Sequence, residues 1–305
     1  MKYGIREICE VVLKAKANQK IGNKMFYKGE PVIYFDSLKT STMEGAATTV
    51  YAQGGRGNSR LIAWEGERTV TFTMEDALIS TTGLLILTGA GLIEPTEGKP
   101  IPVHCVETVA DKAIVKSDDS VTITVSKKIS EDTDATIYVM LKDGDRIISE
   151  PYIGDFASSK GTTTVTIKAT DNYAPDLAKF AGDGSDVVIV DYYTDKTSGV
   201  QQIEITPDKF GGNFYLEAST LFRDTNGSDM PAEFIIPNCK VQSNFTFSMA
   251  SSGDPSTFTF TMDAFPDYTR FDPTKKVLSV IQVITEEDES ADDLRKATAY
   301  DYKAV

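Results

Sequence analysis

The sequence predicts a mainly β fold of antiparallel strands with little helix, and three observations carry that prediction. Short runs alternate apolar and polar residues with a period of two; in RTVTFTM, Val70, Phe72 and Met74 alternate with Thr69, Thr71 and Thr73. Clusters of Gly, Asp, Asn and Ser punctuate those runs. Helical signals are confined to two short stretches, residues 4–13 and 80–91. A length of 305 residues suits roughly two domains, and 41% hydrophobic with 25% charged residues is ordinary globular composition.

In the first stretch Ile5, Ile8 and Val12 fall at helical spacing, so a helix is expected there although Val11 and Val12 are β-branched. From Ala46, three strand-like runs, ATTVYAQ, SRLIAW and RTVTFTM, are separated by GGRGN and EGE, which predicts a three-stranded meander. Ser80 or Thr81 caps a short helix carrying Leu84, Leu85, Ile86 and Leu87, and Gly89–Gly91 end it. Apolar residues nearly all round that helix predict that it is buried. EPTEGKPIP then reads as a connector, with a domain boundary near residue 100.

Beyond residue 105 the pattern is almost wholly β. VTITV, TIYVML and TTVTIKA alternate around DGD and SSKG turns, as a small antiparallel module would. DVVIVDYY, residues 186–193, is a continuous apolar run expected of a strand covered on both faces. QQIEI and NFYLEAS follow as strands. Phe245, Phe247 and Met249 then face Phe258, Phe260 and Met262 across SSGDPS in an expected hairpin, and VLSVIQVI, residues 277–284, is the expected last strand. EEDESADD, residues 286–293, holds six acids in eight positions and reads as a solvated tail.

Charge and rare residues exclude several functions. Net charge is −14, which opposes wrapping of a polyanion, because nucleic-acid affinity comes from neutralising phosphates. His104 is the sole histidine, so no HExxH site exists and any Ser-His-Asp triad would have to use it. Cys9, Cys105 and Cys239 are an odd number without CxxC spacing, against a disulfide scaffold or zinc site and in keeping with a reducing cytosol. Neither a secretory h-region nor a run of about 18 apolar residues is present, so an unexported protein without membrane insertion is expected.

Each motif that resembles a site has a simpler reading. Gly54-Gly55-Arg56-Gly57-Asn58 offers amides to an anion but joins strand to strand, so it reads as a hairpin turn needing positive φ. GAGLIEPTEGKP lacks P-loop spacing, and Pro100 stands where Ser or Thr would hold magnesium. Asp143-Gly144-Asp145 and Asp183-Gly184-Ser185-Asp186 lack the spaced ligands of a calcium loop and read as acidic turns. His104 and Cys105, adjacent in a strand, point to opposite faces and make a poor thiolate pair. No catalytic residue, cofactor or metal site is expected.

Residues 36–92, DSLKTSTMEGAATTVYAQGGRGNSRLIAWEGERTVTFTMEDALISTTGLLILTGAGL, resemble the N-terminal half of tail tube proteins of long-tailed bacteriophages, particularly contractile-tailed phages of Gram-positive hosts. FYLEASTLFRD, IPNCKVQSNFTFSM, GDPSTFTFTMDAFPD and VLSVIQVI are similar to the C-terminal half of that family. The weight rests on the order of these segments, which cover half to two-thirds of the chain. The resemblance implies an antiparallel β-sandwich or barrel with a flanking helix, formed discontinuously by residues 1–105 and 176–285. It also implies a small β-sandwich-like module inserted at 106–175 on the outer surface, followed by an acidic tail at 286–305.

In function, the resemblance implies a structural virion protein whose hexameric rings stack into a tail tube, an acidic conduit for DNA ejection. Its partners would be further copies of itself and the tail sheath, baseplate and tail terminator proteins, with DNA passing unbound. It would be made in the host cytoplasm and reside in the virion. Arg56, Gly57, Asn58 and Arg60 are the expected ring-to-ring contacts, and Glu65, Glu67, Glu75 and Asp76 the expected lumen residues. Two alternatives stand beside this reading. One is another virion part, such as a baseplate ring, tail terminator or decoration protein. The other is a β-sandwich that binds carbohydrate through Trp64, Tyr192, Tyr193 and Tyr215.

Overall fold

Period-two burial decides the local structure even where helical spacing competes with it. In a computed structural model describing residues 2–5, 7–131, 136–159, 162–171, 176–247, 249, 251–252 and 257–284, the expected N-terminal helix is replaced by two strands. These are β1 (Tyr3–Ile5) and β2 (Glu10–Ala15). Val11, Leu13 and Ala15 are fully buried while the residues between them are half-buried. The β-branched pair Val11-Val12 fits this pleat better than a helix, and pairing on both edges of β2 fixes it.

The chain forms two compact units, residues 1–93 with 203–305, and 94–202. In the first, β3 (Gln19–Ile21), β4 (Lys24–Phe26) and β5 (Pro31–Phe35) precede a long pair, β6 (Leu38–Gly54) and β7 (Ser59–Asp76). The expected three-stranded meander is therefore one hairpin: EGE is no turn but lies inside β7. Helix α1 (Thr81–Thr88) follows, with β8 (Gly91–Ile93) after it. As the caps predicted, Ser80 Oγ accepts from Gly83 N at 2.9 Å, and Gly89, left-handed at φ 67°, donates its N–H to the Leu85 carbonyl. Leu85, Ile86 and Leu87 are buried.

The second unit contains β9 (Ile101–Ala110), β10 (Ile114–Lys116), β11 (Ser120–Val125), β12 (Tyr138–Asp143), β13 (Arg146–Ile147), β14 (Tyr152–Ile153), β15 (Asp155–Ser159), β16 (Thr162–Lys168) and β17 (Val187–Lys196). One sheet runs β10-β11-β16-β15, and another runs β13-β12-β17-β9 with β14 on β12. Both contribute to a single core that includes Val121, Ile123, Val165, Val139, Val190 and Tyr192, so the unit is a β-sandwich. β9 and β17 pair over their ten-residue lengths, which makes this unit wider than the expected 106–175 segment. β17 is not covered on both faces: Val188, Val190 and Tyr192 are buried, but Tyr193 is exposed. The DGSD turn is structural; the Asp186 carboxylate accepts from Ala181 N at 2.9 Å and Gly182 N at 2.8 Å.

Back in the first unit come β18 (Gln202–Glu204), β19 (Asn213–Asp224), β20 (Asp229–Val241), β21 (Phe258–Ala264), β22 (Asp267–Tyr268), β23 (Lys276–Val277) and β24 (Val280–Val283). The main sheet runs β5-β2-β19-β20-β21-β7-β6, with β1 on β19 and β24 on β20, all antiparallel. It curls until Phe35 of edge strand β5 meets Phe260 of β21 edge-to-face, ring centres 5.0 Å apart. Ile86 and Leu87 of α1 join the same core. The expected Phe245–Met249 strand is absent among the described residues. Phe245 and Phe247 lie outside regular structure, Met249 is exposed, and β21 pairs instead with β20 and β7. The expected last strand is split between β23 and β24. The acidic tail lies outside the described residues.

Gly89 gives a direct test of this packing. A Cβ there would lie 2.3 Å from the Phe210 carbonyl carbon, in a backbone conformation already unfavourable for an L side chain. Gly89→Ala is expected to lower unfolding free energy by about 2 kcal/mol or more in a denaturant titration. An unchanged midpoint would contradict the assigned cap.

Candidate functional site

The β6–β7 hairpin is the feature the fold leaves without a partner. At its base Phe72 and Met74 enter the core, and β7 pairs with β21 between Thr71 and Asp76. Beyond Val70, β7 pairs with β6 alone, and every residue from 59 to 69 is exposed. At about 3.3 Å per residue the arm reaches about 35 Å past the sheet. An isolated two-stranded ribbon is marginal in water. This one also exposes Val50, Leu61, Ile62 and Trp64, with Leu61 66% and Trp64 53% exposed.

The turn has the geometry its glycines predict. Gly55 and Gly57 take φ of 79° and 92°, Asn58 sits left-handed at 51°, and Asn58 N donates to the Gly55 carbonyl at 3.2 Å. Arg56, Gly57 and Asn58 thus form the tip. Arg60 lies just inside β7, its guanidinium carbon 4.1 Å from the centre of the Tyr51 ring. Midway along the arm, β7 carries an extra residue where Ala47 opposes Arg68 and Thr49 opposes Glu65. Glu67 N donates there to Thr48 Oγ1 at 2.9 Å, and a Cβ on Gly66 would come within 2.5 Å of that oxygen.

The four acidic residues of interest do not share one environment. Glu65 and Glu67 are exposed on the arm, and Glu75 is half-buried beside β21. Asp76 is buried, 6% exposed, and accepts from Ser37 Oγ and from Leu78 N. It shares the face of Phe72 and Met74, so its carboxylate closes the strand end within the chain instead of facing outward. The aromatic residues of the carbohydrate reading are also separated: Tyr192 and Tyr215 are buried, whereas Tyr193 and Trp64 are exposed on different units.

Sequence reasoning missed a cavity of about 360 Å³ in the first unit, whose lining includes the apolar side chains Ile8, Phe35, Leu38 and Leu221. Glu7, Glu10, Asp36 and Glu233 also line it, and among the described residues no lysine or arginine does. Tyr34 donates its hydroxyl to Glu10 at 2.6 Å, while no ion pair forms to any of the four acids among the described residues. Burial raises the Glu233 carboxyl above its usual range, and nearby Glu217 adds to that effect while Lys14 opposes it. The residues converge from the start of β2 and the segment before it, the β5–β6 junction, β19, β20 and the end of β24, too far apart in sequence for spacing to connect them.

Other chemistry is sparse. Among the described residues no cluster of three His, Cys, Asp or Glu is placed to hold a metal ion, and no helix is long and apolar enough to cross a membrane. His104 Nε2 lies 2.7 Å from Asp191 on an exposed sheet face, while Cys105 points inward. Burial pushes the Cys239 thiol up to about 12, which makes it a poor nucleophile.

The hairpin's independence from the core is testable through its bulge. Gly66→Val should displace Thr48 and release the Glu67 amide, yet shift unfolding free energy by no more than about 0.5 kcal/mol, since the arm buries nothing. A large loss of stability in calorimetry would show that the arm packs on the body.

No curated protein matches the chain. The sequence model of the YomU/Tube protein family does match it, over residues 5–277, and with nearly the whole chain covered the protein belongs to that family.

Proposed function

We propose that the protein is the subunit of a phage tail tube, in which rings of six copies stack into a hollow conduit for DNA. The observation that carries this reading is the uncovered β6–β7 arm, an ordered ribbon with free backbone groups, exposed apolar side chains and a basic tip. Such a ribbon gains from being covered by another copy. The other edge of the same sheet, β5, is also open, and the two edges present different surfaces. A contact between unlike surfaces propagates head to tail, so it yields rings when the rotation closes and filaments when it does not. Family membership supports the same conclusion: a tube protein is a structural virion component rather than an enzyme.

In this reading Arg56, Gly57, Asn58 and Arg60 make the ring-to-ring contact, with Glu65, Glu67 and Glu75 assigned to the lumen. A wall of carboxylates gives phosphates no counter-charge, so DNA slides past it. The inserted sandwich lies on the outer surface, where a sheath would meet it, and the tube ends bind baseplate and tail terminator proteins. Replacing Arg56 and Gly57 together, R56E with G57V, should leave a folded, soluble monomer that forms no tubes in negative-stain electron microscopy. Hollow filaments of normal length from that variant would refute the role of the tip.

A further inference from the structure

The uncovered hairpin and the acidic cavity have complementary chemistry. Residues 45–64, the outer part of the arm, contain two arginines and no acidic residue in a chain of net charge −14. Arg60 is held against Tyr51, and Leu61, Ile62 and Val50 flank it with exposed apolar surface. The cavity presents the opposite set. Its apolar lining lies beside four carboxylates that form no ion pair among the described residues, Lys14 and Arg223 acting on Glu233 and Glu7 only at longer range, and its volume of about 360 Å³ admits several side chains. Both features lie in the first unit, but at different strands, so a contact between one copy's tip and another copy's cavity would run head to tail.

We propose that the cavity lined by Glu7, Glu10, Asp36 and Glu233 is the socket for the β6–β7 tip of a second copy of this chain, with Arg56 and Arg60 among its carboxylates and Leu61 or Ile62 against its apolar lining. This rests on the tube reading and adds the receiving surface to it. The two halves of the contact need each other for physical reasons. Desolvating four carboxylates that have no ion pair is costly, and burying two arginines without carboxylates is equally so. Joined, they pair charges while covering apolar area on both sides. The socket also borders Ile284, the last described residue before the acidic tail, so added negative charge lies next in sequence to the site that takes the basic tip.

Charge reversal on each side, alone and together, tests the pairing in the full-length chain. The tip variant R56E/R60E and the socket variant E7K/D36K are each expected to raise the protein concentration needed for filaments by about ten-fold or more, and the quadruple variant to recover most of that loss. Both positions of each pair are exposed, and circular dichroism checks that all variants fold. Filaments formed by either double variant at the wild-type concentration would overturn the socket while leaving the tube reading intact. A quadruple variant no better than the doubles would overturn it equally. Wild-type protein that stays monomeric at every concentration would overturn both.

Discussion

The structure depends on one constraint: backbone hydrogen-bonding groups and apolar side chains exposed on a sheet edge must be covered. Within the chain, the main sheet meets this requirement by curling until Phe35 and Phe260 touch and by seating α1 in the same core. The edge of β5 and the outer arm of β6–β7 stay uncovered, and the arm is also paired with no third strand among the described residues. Its glycine-rich turn, its bulge at Gly66 and its lack of buried residues make it a structure that the monomer orders but does not protect.

That imbalance links fold to assembly. A sheet with two dissimilar free edges and one extended arm cannot satisfy itself through a two-fold dimer without leaving an edge open, whereas a repeating head-to-tail contact covers every copy alike. The inserted sandwich closes its two sheets over a core of its own. It is a self-contained module, which is why an insertion of that size is tolerated between β8 and β18. Net acidity opposes association in general, so in the proposed assembly local complementarity has to overcome it, and the tip carries two arginines and no acid across residues 45–64.

Much of this was legible in the residues. The caps of α1 follow from Ser80 and Gly89, the turn from GGRGN, and the alternation of β7 from Val70, Phe72 and Met74. The same alternation places Asp76 on the core face with Phe72 and Met74, opposite Glu75. Other features were not legible for physical reasons. Residues 4–13 satisfy helical and strand periods alike, and only pairing with β5 and β19 decides between them. EGE resembles a turn, yet glycine serves there to let Thr48 approach the backbone. In Phe245–Met249 the alternation is present without a partner strand among the described residues, and period alone does not supply one. The acidic cavity joins residues 7–10, 35–38, 219–221 and 231–233, a proximity that only the folded sheet creates.

The most direct test of the account is amide hydrogen exchange across residues 44–69, measured on the dilute monomer and on the assembled form. The account requires fast exchange along the arm in the monomer, where β6 and β7 pair only with each other, and strong protection once copies associate, with the core strands β19 and β20 protected in both states. Equal protection of the arm in monomer and assembly would contradict it, because the hairpin would then be satisfied without a second copy.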